Sequence, residues 1–329
     1  MRARLLELLA CPSCAGQLEL VDAEHERDEI VRGGLACRRC GDHFSIAGGI
    51  PRFPPASASE GVRSTAQNFG AQWRMFDEIG PHHEAQFRDW IAPVTPDLLR
   101  DRRVLELGCG KGRHTRVVGD WGAREIVAVD VSDAVDVAYR HTRHQPHVHV
   151  VQADINRLPL KRVFDYAFSI GVLHHLENPA DGFRAMVDHV VPGGAVSCWV
   201  YGRENNGWIV HIVDPMRRMI FSRVSPGLLY GLAFVPAAAL FVALRLIYRP
   251  TRSIRAGARF FYADYLRYIA GFPFREVHTI VYDHLTAPTA FYVRRAEFEG
   301  WFRDAGLSEV AIAWHNANSW RGFGVIGGH

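Results

Sequence analysis

The 329-residue sequence has little net charge and almost no lysine. Its 38 basic and 35 acidic residues give a formal charge of +3, and lysine stands only at Lys111 and Lys161. So small an excess excludes a protein that coats nucleic acid by charge alone. Hydrophobic residues make up 48% of the chain, which excludes disorder of the whole chain. The length exceeds one average domain, so we expect one large domain and one smaller module.

Cysteine is scarce as well, and four of the six cysteines form two closely spaced pairs. Cys11 and Cys14 are the first CxxC pair, and Cys37 and Cys40 are the second. Each pair places two thiolates on one tight turn, and two such turns can close a tetrahedral zinc shell. We therefore predict a structural Zn²⁺ at these four residues. A metal-free relic of such a site and redox-active pairs are the alternatives.

The first ten residues superficially imitate a bacterial lipoprotein signal that ends at Cys11. The apolar stretch is short and contains Glu7, and the zinc hypothesis needs Cys11. We expect a cytoplasmic protein with reduced cysteines. A peripheral position at the inner membrane surface is the alternative.

The segment 48–53 (GGIPRF) closes the cysteine module, and a stretch rich in proline, alanine and serine follows it. The patterns CPxC, CxxCG and GIPRF together resemble the zinc-ribbon domain found beside, or fused to, many methyltransferases. A free-standing relative of that domain serves as the activator subunit of tRNA, ribosomal and release-factor methyltransferases. We predict a zinc-ribbon domain at 1–55, a linker at 56–66 and a second domain at 67–329.

From residue 103 onward, strand-like and helix-like segments alternate, which is typical of an α/β fold with a doubly wound parallel sheet. The first strand runs into a loop with Gly108, Gly110 and Gly112, where glycine allows a sharp turn and close approach of a ligand. Dinucleotide folds prefer G-x-G-x-x-G, but here the third glycine comes one position early. The second strand ends in Asp130, whose carboxylate can accept hydrogen bonds from ribose hydroxyls.

These segments, in this order, resemble a class I S-adenosylmethionine-dependent methyltransferase, over about 67–201 and 296–328. The resemblance implies a Rossmann-like sheet of seven strands with S-adenosyl-L-methionine as cofactor. An acidic site suits this cofactor, which carries a sulfonium and an ammonium. A nicotinamide dehydrogenase or an inert Rossmann-like fold is the alternative. The implied cofactor-binding residues lie in the glycine loop, at the ends of the second and third strands and on the fourth strand: Glu106, Gly108, Gly110, Gly112, Asp130, Val131, Asp154, Ile155 and Ser169.

Upstream of the sheet, residues 67–76 resemble the FxxQW element of ribbon-fused methyltransferases. In that group the element covers the methionine end of the cofactor, which implies further cofactor contacts by Phe69, Gln72 and Trp73. An amphipathic helix that packs Phe69, Trp73 and Phe76 against a core fits the same spacing.

Residues 202–295 interrupt the expected order of elements, and we predict that this insertion of 94 residues is a mostly helical cap over the substrate. Within it, 224–244 has no charged side chain and is flanked by arginines; between residues 203 and 259 the local charge is +7, from nine arginines and two acids. Because Pro226 and Pro236 interrupt the stretch, we expect a buried pair of helices. A membrane-surface patch and a re-entrant hairpin are the alternatives.

A hydroxyl acceptor needs a base near neutral pH, which suits histidine. His174 and His175 follow the fourth strand beside the expected methyl position, and His284 lies in the cap, so these three are the candidate catalytic residues. Structural roles are the alternative for each. Further candidates in the cap are His211, His278 and Tyr282.

The leading hypothesis is methyl transfer to an oxygen or nitrogen of a small-molecule or lipid-linked acceptor, with membrane contact through 224–244. Aminocarboxypropyl transfer or intramolecular cyclisation would use the same cofactor loop. An RNA- or partner-binding modification factor is a third hypothesis. We expect nucleic acid to be an unlikely partner, since the sequence lacks interleaved basic and aromatic residues.

Overall fold

The structure is a computed structural model, and it describes residues 1–53, 60–221, 224–251, 254, 259–286 and 290–328. In chain order the strands are β1 Leu18–Glu26, β2 Glu29–Cys37, β3 His43–Ala47, β4 Ile50–Phe53, β5 Arg103–Leu107, β6 Glu125–Asp130, β7 Val148–Ala153, β8 Phe164–Ile170, β9 Val190–Tyr201, β10 Leu307–His315 and β11 Ser319–Ile326. The α-helices are α1 Glu60–Met75, α2 His82–Trp90, α3 Pro96–Leu99, α4 Arg113–Asp120, α5 Val135–Thr142, α6 Pro179–Asp188, α7 Asp214–Met219, α8 Pro226–Ala243, α9 Ala263–Ile269, α10 Phe274–Thr286 and α11 Arg295–Asp304.

All of these strands belong to one sheet, in the order β1-β2-β3-β4-β7-β6-β5-β8-β9-β11-β10. The part from β7 to β10 is the predicted seven-stranded sheet, with β11 antiparallel to β9. The four ribbon strands extend it to eleven, because β4 pairs in parallel with β7 at Arg52↔Gln152 and Phe53↔Ala153. Main-chain pairing of β4 with β7 therefore joins the zinc ribbon and the cofactor domain in one sheet.

Side chains of the central strand β5 alternate between the two faces of the sheet, and apolar residues lie on both faces. Val104 belongs to one buried apolar cluster, and Leu105 and Leu107 belong to another. A strand buried on both faces is typical of a parallel sheet with helices on each side. The cluster of Leu105 also contains Leu18 and Leu35 of the ribbon, so the two domains share a hydrophobic core.

Helix α1 begins at Glu60, inside the segment predicted as a linker over 56–66. Residues 54–59, which include the first four residues of the predicted linker, lie outside the described residues. The helix carries the FxxQW element on its second half, and Phe76, directly after the helix, is buried at 1% exposure. The carboxyl-terminal part of the predicted linker is therefore helical, and the domain boundaries themselves stay a prediction.

The cap insertion is helical, as predicted, but its apolar stretch is one helix and not a buried pair. Helix α8 continues through Pro236 and then into a π-helical segment, Leu244–Tyr248. Pro226 is at the first turn, where proline is well tolerated. The loss of one main-chain hydrogen bond at Pro236 is offset by packing, since Leu229, Ala233 and Ala237 are buried on one face of the helix.

Helix α8 and its extension, Pro226–Tyr248, are long and apolar enough to cross a membrane by length and composition. An 18-residue window of this stretch has a mean hydropathy of 2.1, and 22% of that window is buried inside the protein. Its exposed apolar side chains include Leu228, Val235 and Leu246. The same helix packs along α10, which carries residues of the site described next.

Candidate active site

The carboxyl ends of β5, β6, β7 and β8 meet at one large cavity, which the cap helices α9 and α10 close from above. The glycine loop after β5 forms part of its floor, with positive φ at Gly108 (+79°), Gly110 (+51°) and Gly112 (+78°). A β-carbon at Gly108 would lie 2.3 Å from a methyl carbon of Val172. These positions therefore need glycine both for their backbone conformation and for space.

Asp130, at the end of β6, is held by main-chain and side-chain donors of its own loop. Its Oδ2 accepts a hydrogen bond from the Gly110 amide at 2.8 Å, and its Oδ1 accepts from the amide and hydroxyl of Ser132 at 2.8 and 2.6 Å. Burial raises the pKa of Asp130, and these donors oppose that effect. The carboxylate lines the cavity, so it can accept further hydrogen bonds from a ribose.

The third strand supplies the opposite end of the same cavity. Asp154 and Ile155 line it together with Asn156 and Val131. Asp154 accepts a hydrogen bond from the Asn156 amide at 2.9 Å, which fixes the turn after β7. Asp130, after β6, lies between these positions and the glycine loop after β5. This order matches a ligand with adenine at one end, ribose in the middle and methionine at the other end.

Helix α1 covers the glycine loop with Phe69, Gln72 and Trp73, which all line the cavity. The Oε1 atom of Gln72 is buried without a hydrogen-bond partner among the described residues. A buried amide oxygen without a partner favours a ligand with a donor group, such as the cofactor's ammonium. The residues present therefore fit S-adenosylmethionine.

Other predicted site residues lie outside the cavity wall. Glu106 is buried and accepts a hydrogen bond from Thr115 at 2.5 Å, and burial raises its pKa to about 8. Ser169 donates to the Leu107 carbonyl, and Gly112 packs against Ala138. Direct cofactor contact by these residues stays a prediction. In the structure they pack behind the glycine loop, on the side away from the cavity.

The three predicted catalytic histidines are close together but differ in access. His175 lines the cavity, with its ring 4.9 Å from that of Phe69. His174 is fully buried, its ring lies 4.2 Å from that of Tyr201, and burial lowers its pKa well below the usual range. The ring of His284 stacks on that of Tyr201, with 5.8 Å between the centroids. Of the three, His175 alone is among the cavity-lining residues, so its side chain can reach a bound acceptor. Its catalytic role stays a prediction.

The rest of the cavity is walled by aromatic rings with polar groups between them, and we refer to it as the acceptor chamber. The rings of Trp199 and Tyr201 are 5.4 Å apart, and those of Trp90 and Trp199 are 5.0 Å apart. The chamber is lined by Gln86, Trp90, Trp199, Tyr201, Tyr265, Tyr268, Asp283, His315, Asn316 and Asn318. Sequence reasoning missed most of these, because they come from five separate segments that carry no motif.

Substitution of Gly110 by alanine tests the close approach of helix α1 to the loop. The new β-carbon would lie 2.8 Å from Trp73 Nε1 at a φ of +51°, so Trp73 must move. We expect cofactor affinity, measured by calorimetry, to fall about tenfold. Gly193→Ala is the matched control, since Gly193 has a φ of +79° with nothing within 4 Å. Equal affinities for Gly110→Ala and wild type would contradict the proposed packing of Trp73 over the loop.

The four predicted zinc ligands come together at the tip of the ribbon. Their sulfur atoms all lie within 4.8 Å of one another, with Cys11 to Cys40 at 3.6 Å and Cys14 to Cys37 at 3.5 Å. Zn–S bonds of about 2.3 Å in a tetrahedron place sulfurs about 3.8 Å apart. Main-chain hydrogen bonds from Cys40 and Arg39 lower the pKa of Cys37 to about 6. The thiols therefore fit a structural zinc with four protein ligands.

A second group, His82, His83 and Glu276, has ligand atoms close enough for a metal. The Gly80 amide donates to His83 Nδ1 at 3.0 Å, which leaves the hydrogen on Nε2, 3.3 Å from Glu276. Arg113 lies 3.6 Å from the same carboxylate. These contacts describe a hydrogen-bonded ion network at the cavity wall and not a metal site.

Comparison with known proteins agrees with this architecture. Residues 105–198 match the family described as methyltransferase domain, and residues 2–49 match the family described as Trm112p-like protein. The chain therefore carries a class I S-adenosylmethionine-dependent methyltransferase domain, and it has a Trm112-like zinc-ribbon domain in front of it. The sequence-based predictions of this domain class, its fold, its cofactor and the zinc-ribbon domain are confirmed.

Similar curated proteins match part of the chain. A tRNA U34 carboxymethyltransferase of Pseudoalteromonas atlantica is 34% identical over 146 residues, which cover 40% of this chain and 45% of the relative. The Aeromonas salmonicida protein of the same name is 30% identical over 200 residues, or 51% of this chain and 61% of the relative. The chain thus spans about half the length of these relatives. Among solved structures, DhpI bound to S-adenosylhomocysteine has 16% identity and a TM-score of 0.49, covering 83% of this chain and 100% of DhpI.

These relatives correct one prediction. Nucleic acid was expected to be an unlikely partner, and the acceptor was expected to be small or lipid-linked. Both expectations are wrong, because the curated relatives are named for a nucleotide of tRNA. Net charge and composition misled here, because they do not show a chamber lined by aromatic side chains under a cap. The membrane contact predicted for 224–244 is not tested by these relatives and stays a prediction.

Proposed function

We propose that the protein transfers a methyl group from S-adenosylmethionine to a nucleobase of tRNA, at an oxygen or nitrogen atom. The observation that carries this proposal is the acceptor chamber beside the cofactor residues. Aromatic side chains that stack on an unstacked base are the common means of recognising RNA bases, and modifying enzymes take their base out of the stack. The names of the curated relatives supply the class of nucleic acid.

Charge on the cap supports the same proposal. The excess of +7 between residues 203 and 259 lies in the insertion that covers the chamber. Arginines on this segment would attract the phosphates of a tRNA, and such contacts weaken as salt rises. A tRNA substrate would also place the protein in the cytoplasm.

S-adenosylmethionine, when bound, supplies an activated methyl group, so the protein's own task is alignment and exclusion of water. Asp130 would hold the ribose and Gln72 the ammonium. Trp73 and the cap helices exclude solvent from the space between cofactor and acceptor. Carboxymethyl transfer, after the name of the relatives, is the second candidate; it needs a donor whose sulfonium carries a carboxymethyl group in place of the methyl group, and Arg113 on the cavity wall would pair with that carboxylate.

Unfractionated bacterial tRNA incubated with methyl-labelled S-adenosylmethionine tests the proposal. We expect label in the tRNA, S-adenosylhomocysteine as coproduct, and binding that weakens steeply between low and moderate salt. A parallel incubation with a donor whose sulfonium carries a carboxymethyl group, followed by mass spectrometry of the digested nucleosides, tests carboxymethyl transfer. Methylthioadenosine as coproduct would indicate aminocarboxypropyl transfer, and unlabelled tRNA from a protein that binds the cofactor would refute the proposed substrate class. The Asp130→Ala variant is the negative control.

A further inference from the structure

A carboxylate of the cap enters the cavity between the cofactor residues and the acceptor chamber. Asp283 is on the last turn of α10 and lines the cavity. Its Oδ1 accepts a hydrogen bond from Gln72 Nε2 at 3.2 Å, and its Oδ2 accepts one from the Tyr201 hydroxyl at 3.1 Å. One donor comes from helix α1 over the methionine end, and the other comes from the end of β9. The carboxylate is thus fixed at both oxygens at the boundary of the two half-sites.

The groups around Asp283 preserve its ability to accept a proton. Tyr201 is a donor to it, and burial raises the pKa of Tyr201 well above its usual value, so the hydroxyl keeps its proton. Burial lowers the pKa of His284, which keeps that imidazole neutral near pH 7. The titratable groups that interact electrostatically with the carboxylate come from β9, α9, α10 and the chain after it: Tyr201, Tyr265, Tyr282, His284 and Tyr292.

The candidate histidines are less well placed for the same task. His174 and His284 are outside the cavity wall, and both pack against the ring of Tyr201. His175 reaches the cavity, but its ring packs edge-on against Phe69 at 4.9 Å. Asp283 is a proton acceptor that combines access to the cavity with two orienting hydrogen bonds.

We propose that Asp283 is the general base of the transfer reaction and accepts the proton of an N–H or O–H acceptor group. The acceptor nitrogen or oxygen forms a bond to the methyl carbon, while the bond from that carbon to sulfur breaks. Sulfur keeps the electron pair, S-adenosylhomocysteine leaves, and the proton passes to Asp283 and then to solvent. This inference rests on the proposed transfer reaction, but it does not depend on which nucleobase of the tRNA is modified.

Asp283→Asn keeps the shape of the side chain and removes its charge. With tRNA as substrate we expect kcat to fall at least about 100-fold, the usual contribution of general base catalysis, with little change in KM. Affinity for S-adenosylhomocysteine should stay within about threefold of wild type, and Asp283→Glu should restore part of the rate. Asp264→Asn, an exposed aspartate on the neighbouring helix α9, is the matched control. A kcat of Asp283→Asn equal to that of wild type would overturn the assignment.

A second measurement does not depend on tRNA. Carboxyl-labelled aspartate in the protein bound to S-adenosylhomocysteine gives an NMR signal for Asp283, identified by its absence from Asp283→Asn. We expect the chemical shift of an ionised carboxylate at pH 7. A protonated Asp283 at pH 7 would overturn its role as base whatever the acceptor. If wild type fails to label tRNA, the proposed substrate class fails, and this measurement still decides the role of Asp283.

Discussion

Replacement of Asp130 by alanine is expected to weaken the binding of S-adenosylmethionine about 100-fold, or about 2.8 kcal/mol. The carboxylate would accept two hydrogen bonds from the ribose, and hydrogen bonds to a charged group are each worth about 1.5–3 kcal/mol. The same change frees the Gly110 amide and the Ser132 hydroxyl, so the loop also loses its anchor. Isothermal calorimetry with S-adenosylmethionine measures the effect directly.

Two further variants separate the loss of charge from general damage to the protein. Asp130→Asn keeps the shape and should show a smaller loss of affinity, whereas Asp304→Ala, an exposed carboxylate on α11, should bind normally. Thermal unfolding confirms that each variant is folded. Wild-type affinity in a folded Asp130→Ala protein would refute the cofactor orientation described above.

Replacement of Cys37 by serine is expected to remove zinc and unfold the ribbon. A buried thiolate ligand is lost, and zinc supplies about 10–16 kcal/mol to the folding of small zinc domains. Metal analysis should show one Zn²⁺ per wild-type chain and almost none in the variant. Hydrogen exchange should show loss of protection for amides of β1 to β4, whereas β5 and β6, in the centre of the sheet, should stay protected.

Loss of zinc should also weaken cofactor binding, because one side chain of the ribbon is hydrogen-bonded toward the cofactor site. Arg52 donates to Gln152 Oε1 at 2.7 Å, and Gln152 Nε2 donates to the Val131 carbonyl at 3.2 Å, next to Asp130. Arg52→Ala, with its zinc intact, should therefore weaken cofactor binding about fivefold. Cys109→Ser, outside the zinc site, should keep its metal. Full zinc occupancy in Cys37→Ser would contradict the ligand assignment.

Local sequence signals were sufficient for the cofactor half of the fold. Glycines at 108 and 110 mark the loop because no other residue tolerates their φ values and close neighbours. Asp130 was identifiable because it ends a strand of apolar residues at a fixed distance from that loop. Such signals are local in sequence, so they can be read without knowledge of the long-range contacts.

Long-range contacts account for what the sequence did not predict. The pairing of β4 with β7 joins residues 100 positions apart, and nothing in the GIPRF segment identifies its partner strand. Asp283 accepts a hydrogen bond from Gln72, 211 positions away in the sequence, and its proposed role depends on that contact. Pro236 suggested a helix end, but packing of α8 along α10 kept the helix whole. In each case tertiary packing decided the outcome, and local preference did not.

The parallel pairing of β4 and β7 is a two-residue ladder, the kind of contact through which a separate chain adds a strand to a sheet. In this chain residues 54–59 connect the ribbon covalently to the helix that follows. A short connection of this kind gives an effective concentration of roughly millimolar, so even a weak contact is almost always formed. Fusion therefore lowers the affinity that the ladder itself must supply, and it makes association of the two domains independent of protein concentration.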